Sequence, residues 1–195
     1  MDVEQSQQAK WDNRYRGQTP GAPLSLLSDM AYLLPTTGHA LDLACGTGAN
    51  ALLLAGRGLQ TQAWDISAVA VETLTGHAGD LPLVAQRRDV VAEPPLPATF
   101  DVICVAHFLD RELCPAIAAA LRPGGLLFYQ TFTRDRVDDT GPSSSRYRLE
   151  SNELLRLFAG LTVRYFREDG VVGDTTLGLR NVACLIAQRS VGTAP

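Results

Sequence analysis

Lysine is almost missing from this 195-residue chain: Lys10 stands alone, and the other sixteen of its 17 cations are arginines. Twenty-one acids bring the formal charge to −4, which argues against a general nucleic-acid surface. No apolar run approaches the roughly 20 residues of a membrane span, and Met1-Asp2-Val3-Glu4-Gln5 is polar and acidic, unlike a signal peptide. The chain therefore reads as cytoplasmic. Cys45, Cys104, Cys114 and Cys184 form no CxxC pair and no metal-type spacing, so buried thiols are expected. Histidine is scarce too, and His39, His77 and His107 are widely separated, so no metal site is expected. There is no internal repeat, no low-complexity tract and no Gly-Lys-Ser/Thr of a phosphate-cradling P-loop. With 46% hydrophobic residues, one domain with a sizeable core is expected.

The segment Ala40-Leu41-Asp42-Leu43-Ala44-Cys45-Gly46-Thr47-Gly48-Ala49-Asn50-Ala51 is the most informative in the chain. An apolar run holding one acid reads as a buried parallel strand, and it breaks into a glycine turn from which a helix opens. Strand, glycine turn and helix together bring backbone N–H groups and a helix N-terminus against a bound nucleotide. Gly46, Gly48 and Ala51, with Asp65 19 residues after Gly46, fit the dinucleotide fingerprint. On spacing alone, NAD and S-adenosylmethionine fit about equally. Asp42 tips the balance, because a carboxylate repels a diphosphate and attracts an ammonium or a sulfonium. Asp42 and Asp65 also have a purely local alternative, as helix caps.

Downstream, Ala63-Trp64-Asp65-Ile66-Ser67 ends a second strand, and Asp65 can accept from ribose hydroxyls. Val84 to Val90 suggests a third strand ending in Asp89, placed to accept from an adenine amino group. Phe100 to Ala106 is a fourth strand leading into His107-Phe108-Leu109, and Leu121-Arg122-Pro123-Gly124-Gly125-Leu126-Leu127-Phe128 is a helix end, a turn and a fifth strand. Helical stretches at 50–57, 67–77, 112–121 and 151–158 alternate with the strands, which implies right-handed parallel β-α-β units with helices on both faces. Leu161–Phe166 and Val182–Ala187 are joined without a long helix, so they are expected to be antiparallel.

This series of landmarks, spanning about residues 38 to 133, resembles a class I S-adenosylmethionine-dependent methyltransferase. Trp11-Asp12-Asn13-Arg14-Tyr15 and Phe128-Tyr129-Gln130-Thr131-Phe132-Thr133 resemble, more narrowly, the small tellurite-resistance (TehB-like) methyltransferases. The resemblance implies an α/β, three-layer, doubly wound fold with a seven-stranded, mostly parallel sheet and a C-terminal antiparallel hairpin. It implies one domain: a helical lid over 1–36, a cofactor-binding core over 38–133, and a substrate-side loop, helix and hairpin over 134–195. S-adenosyl-L-methionine is the implied cofactor, held by Asp42, Ala44, Gly46, Gly48, Asn50, Asp65, Ile66, Asp89, Val90 and Ala106. Trp11 and Tyr15 would wall its methionine end.

Substrate belongs beyond the carboxyl ends of the strands. The 134–148 stretch is long for a structureless connection and carries Arg134, Arg136, Arg146 and Arg148, residues that recognise anions in a planar fashion. A solvated surface loop, neutralised by Asp135, Asp138 and Asp139, is the competing reading. No Asn-Pro-Pro-Tyr or Asp-Pro-Pro-Tyr follows the fourth strand, as an amino-group methylator would carry. A small-molecule acceptor is therefore expected, an oxyanion or thiol-type nucleophile, with His107, Arg146 and Arg111 positioning it. An NAD-dependent oxidoreductase, or a methyltransferase acting on a protein or tRNA, are the alternatives.

Overall fold

The computed structural model describes residues 2–192, with side chains from residue 7 onward; residue 1 and residues 193–195 lie outside the described residues. The chain opens with α1 (Asp2–Tyr15), α2 (Ser25–Asp29) and a 3-10 turn (Ala31–Leu33). Then follow β1 (His39–Leu43), α3 (Ala49–Gly56), β2 (Gln60–Asp65), α4 (Ala68–Ala78), β3 (Leu83–Arg87), β4 (Phe100–Ala106), α5 (Cys114–Ala120) and β5 (Leu121–Phe132). A second 3-10 turn (Ser145–Tyr147), α6 (Glu153–Leu157), β6 (Thr162–Arg167) and β7 (Val182–Gln188) complete it.

The seven strands form one sheet in the order β3-β2-β1-β4-β5-β7-β6. Pairings among β1 to β5 are parallel, and β7 runs antiparallel to both β5 and β6. The expected doubly wound sheet and its antiparallel hairpin are both present. The strand order reverses between β1 and β4, and in such sheets ligands bind at that switch, beyond the carboxyl ends of the strands.

Alternation along each strand sorts the core into two faces. Leu41, Leu43, Ile103, Val105, Leu127 and Tyr129 pack against Ile117 of α5 and Leu154 of α6. Ala40, Val102, Cys104, Phe128, Cys184 and Ile186 face Leu27 of α2 and Leu54 of α3. All four cysteines are buried and unbridged, as expected. Strand β3 stops at Arg87, shorter than its sequence suggests, and Asp89 lies two residues beyond it in a turn. Asp89 accepts from the Val91 and Ala92 backbones, and this turn chemistry ends the strand. No helix of the described residues is long and apolar enough to cross a membrane.

Candidate active site

The turn after β1 is held by carboxylates from within. Asp65, at the end of β2, accepts from the Gly46 N–H at 2.8 Å and from the Ser67 N–H at 2.9 Å. Asp42, fully buried in β1, accepts from the Ala51 N–H at 3.0 Å through Oδ2, which ties the strand to the first turn of α3. Its Oδ1 has no partner among the described residues. Burial pushes the Asp42 carboxyl well above the usual carboxylate range, and the negative charge of Asp65 adds to the push. Asp65 is raised for the same first reason, partly offset by its N–H donors. Two acids therefore converge on one turn, and among the described residues neither forms an ion pair.

The two glycines divide their work. Gly46 has φ +54°, and a Cβ on it would sit 2.9 Å from the Tyr15 hydroxyl, so it marks the open side of the turn beneath α1. Gly48 has φ +84°, and a Cβ there would collide with the Leu74 side chain of α4. The bare Cα of Gly48 thus admits a neighbouring helix. Ala44 also lies in the left-handed region, φ 56°, which bends the chain out of β1. Asn50 takes the backbone N–H of Leu24 at 2.9 Å, so its amide oxygen anchors the segment before α2.

Helix α1 crosses this turn. Asp12 accepts from the Ser67 hydroxyl at 2.6 Å and from the Val69 N–H at 3.3 Å, pinning α1 to the start of α4. Trp11 and Tyr15 stack, ring centres 5.7 Å apart, and Arg14 lies 5.6 Å from the Trp11 ring. Burial and the Asp65 charge both raise the Tyr15 phenol, so it stays a neutral donor. Ile66 is half-buried and Val90 buried, flanking Asp65 and Asp89 respectively.

Ala106 ends β4, and His107 follows with φ 55°. This turn brings the imidazole beside β5, where it stacks on Phe132 with centres 5.0 Å apart. His107 keeps an exposed edge, yet partial burial, seconded by the charge of Arg14, lowers its pKa. The Cys184 thiol donates to Gln130 Oε1 at 2.9 Å, so Gln130 Nε2 faces His107 Nε2 at 3.5 Å. A neutral imidazole accepting there carries its proton on Nδ1. Sequence reading missed Gln130 and Cys184 as partners of His107; a glutamine inside an apolar strand was the available signal.

Arg111 does not stand ready for an anion, contrary to the sequence expectation. It forms a two-pronged pair with Glu153, at 2.6 and 2.9 Å, and donates to the carbonyls of Arg146 and Arg148 at 2.6 and 3.0 Å. Its rigid fork fastens the 134–150 loop to α6. Arg146 is exposed, its guanidinium 5.8 Å from the Tyr147 ring. Among the described residues no cluster of His, Cys, Asp or Glu could hold a metal ion.

Comparison with known proteins now bears on this geometry. Residues 40–125 match the family described as "Methyltransferase domain". The ubiquinone biosynthesis O-methyltransferase of Burkholderia orbicola (strain MC0-3) is 28% identical over 105 residues, covering 50% of this chain and 45% of that protein. The chain thus spans less than half the length of the curated relatives it matches. TehB from Haemophilus influenzae superposes with TM-score 0.71 at 20% identity, over 94% of this chain and 67% of that one. A protein solved in work on the conversion of a disulfide bond into a thioacetal group during echinomycin biosynthesis gives TM-score 0.70 at 23% identity, over 96% and 94%. This is the class I fold of S-adenosylmethionine-dependent methyltransferases.

Proposed function

We propose that the chain transfers a methyl group from S-adenosylmethionine to a small-molecule acceptor bearing an oxygen or sulfur nucleophile. The observation that carries this reading is the buried Asp42, whose Oδ1 lacks a donor on a turn already rich in carboxylate. A buried acceptor left unmatched costs about 1–3 kcal/mol, and an ammonium group or its bridging water would satisfy it. A diphosphate would instead meet two acids and no cation. That is why the donor is read as adenosylmethionine in place of NAD.

In this reading Asp65 accepts from the ribose, with the turn already held by its bonds to Gly46 and Ser67. Asp89 keeps one oxygen for the base, since only Oδ1 is spent on Val91 and Ala92. Trp11 and Tyr15 close the methionine end as part of the lid over 1–36. When bound, the sulfonium supplies a methyl group open to in-line displacement. What the protein adds is alignment, for which held reactants gain about 7–11 kcal/mol. His107, neutral at working pH and protonated on Nδ1, offers an N–H to an anionic nucleophile, and the bond to Gln130 fixes its ring. A nucleophile already ionised needs no general base, and none is paired here for the task. Arg146 sits on the loop that would border the acceptor.

The test is release of S-adenosylhomocysteine from a panel of small thiols, phenols and oxyanions, run beside tRNA and total protein. Turnover with small acceptors alone supports the reading. Methylation of tRNA or protein alone would replace it.

A further inference from the structure

The connection between β5 and α6 folds around a buried cation. Arg148 is 3% exposed, and it donates from Nε to Pro142 O at 2.7 Å, from Nη1 to Thr133 O at 2.9 Å and from Nη2 to Thr140 O at 2.5 Å. It forms no ion pair among the described residues. Burial, and then the charge of Arg136, hold its guanidinium below the usual arginine range. Three carbonyl dipoles satisfy its geometry, and the charges of Asp138 and Asp139 act on it from beyond ion-pair distance.

Beside it lies a cavity of about 210 Å³ lined by Arg134, Arg136, Ser143, Ser145 and Arg148. Three arginines and two serines line one space, and no acidic residue shares the lining. We infer that this cavity is the anchoring subsite for a phosphate-type dianion carried on the small-molecule substrate.

The donor chemistry fits such a group, because guanidinium forks match phosphate oxygens in bidentate fashion and serine hydroxyls supply single bonds. The size fits as well: a space of about 210 Å³ takes several waters, and so a tetrahedral oxyanion and its ester linkage. Existing partners compete weakly. Arg134 pairs with Glu150 at 2.7 Å and Arg136 with Asp139 at 3.3 Å, but the two acid side chains are 53% and 97% exposed. Exposed pairs of this kind contribute little, so a dianion set among three arginines displaces them. On a chain whose net charge is −4, this gathering of three arginines is local.

The position of the cavity ties it to the substrate. The Arg148 guanidinium lies 5.6 Å from the Phe132 ring centre, and the same ring stacks on His107 at 5.0 Å. The Phe132 ring therefore contacts both Arg148 of the arginine cavity and His107, near which methyl transfer is proposed. Gly141, at φ +92°, lets the loop lie flush on that ring, where a Cβ would meet Cδ1 at 2.5 Å. An acceptor with its dianion among the arginines would extend past Phe132 to present its nucleophile near His107. This substrate role rests on the functional reading above; the anion subsite itself does not.

Calorimetric titration of the full chain with phenyl phosphate and with inorganic phosphate, at constant ionic strength, tests it. Phenyl phosphate is expected to bind severalfold more tightly than inorganic phosphate. Arg136→Gln should weaken it at least tenfold and Ser143→Ala/Ser145→Ala severalfold, with S-adenosylmethionine affinity unchanged in each variant. No binding of either probe, or equal binding by wild type and Arg136→Gln, overturns the subsite. Equal affinity for the two probes overturns its attachment to a substrate in favour of a free-anion site. Phenyl phosphate binding that depends on Arg136, in a protein that fails to bind S-adenosylmethionine, would uphold the subsite and overturn the functional reading instead.

Discussion

Asp65 holds Gly46 by its backbone, Oδ2 to N at 2.8 Å, so the residue read as the ribose acceptor also sets the shape of the turn beneath it. The two roles should separate on substitution. Asp65→Asn keeps one acceptor oxygen and should preserve most of the fold, while Asp65→Ala strands two buried N–H groups at about 1–3 kcal/mol each. Both should weaken S-adenosylmethionine binding at least tenfold by calorimetry. Denaturant titration should show a loss of stability that is larger for the alanine variant.

Asp42 makes stability depend on pH in an uncommon direction. Burial raises its pKa in the folded state, so between the unfolded value near 4 and that raised value the folded protein binds more protons. Its contribution is therefore complete at low pH and is lost as pH climbs through the folded pKa. Depressed acids such as Asp169, drawn down to about 2 mainly by Arg167, have the opposite sign and lose their contribution as pH falls. Subtraction of an Asp42→Asn series from wild type isolates the Asp42 slope. Urea unfolding from pH 4 to 9 should show wild type losing stability relative to the variant as pH rises.

Gly48 is fixed by both its φ of +84° and the Leu74 side chain against it. Gly48→Ala should cost about 1–3 kcal/mol from the left-handed backbone alone, and more from the clash. In a double-mutant cycle with Leu74→Ala, the steric part should appear as a favourable coupling. Additive losses would show that backbone strain alone sets the cost.

Arg111 ties the 134–150 loop to α6 through Glu153, whose carboxyl it holds below its usual range against the opposing effect of burial. Arg111→Met should cost about 1.5–3 kcal/mol, the range for hydrogen bonds to charged groups. It should also speed proteolysis within 134–150. S-adenosylmethionine affinity should stay unchanged, which limited digestion and calorimetry together check.

The parallel core was legible because its signals are local: Ala40 to Leu43 is a continuous apolar run with one acid, and Gly46 and Gly48 punctuate it. The final antiparallel pair was readable from the missing helix between Phe166 and Val182. Boundaries drifted where side chains override propensity, as at Asp89, whose Asx-type turn cuts β3 short. The roles of the arginines were illegible. Arg111 and Arg148 both look like free cations in the sequence, yet Glu153, 42 residues from Arg111, and the carbonyls of Thr133, Thr140 and Pro142 determine what they do. Gln130 likewise acquires meaning only when β7 brings Cys184 beside it, 54 residues away.

Calorimetric titration of the purified chain with S-adenosylmethionine and, separately, with NAD tests the central assignment most directly. One-to-one binding of S-adenosylmethionine, abolished by Asp65→Ala, with no heat from NAD is the expected result. Binding of NAD without S-adenosylmethionine, or S-adenosylmethionine binding indifferent to Asp65, would contradict it.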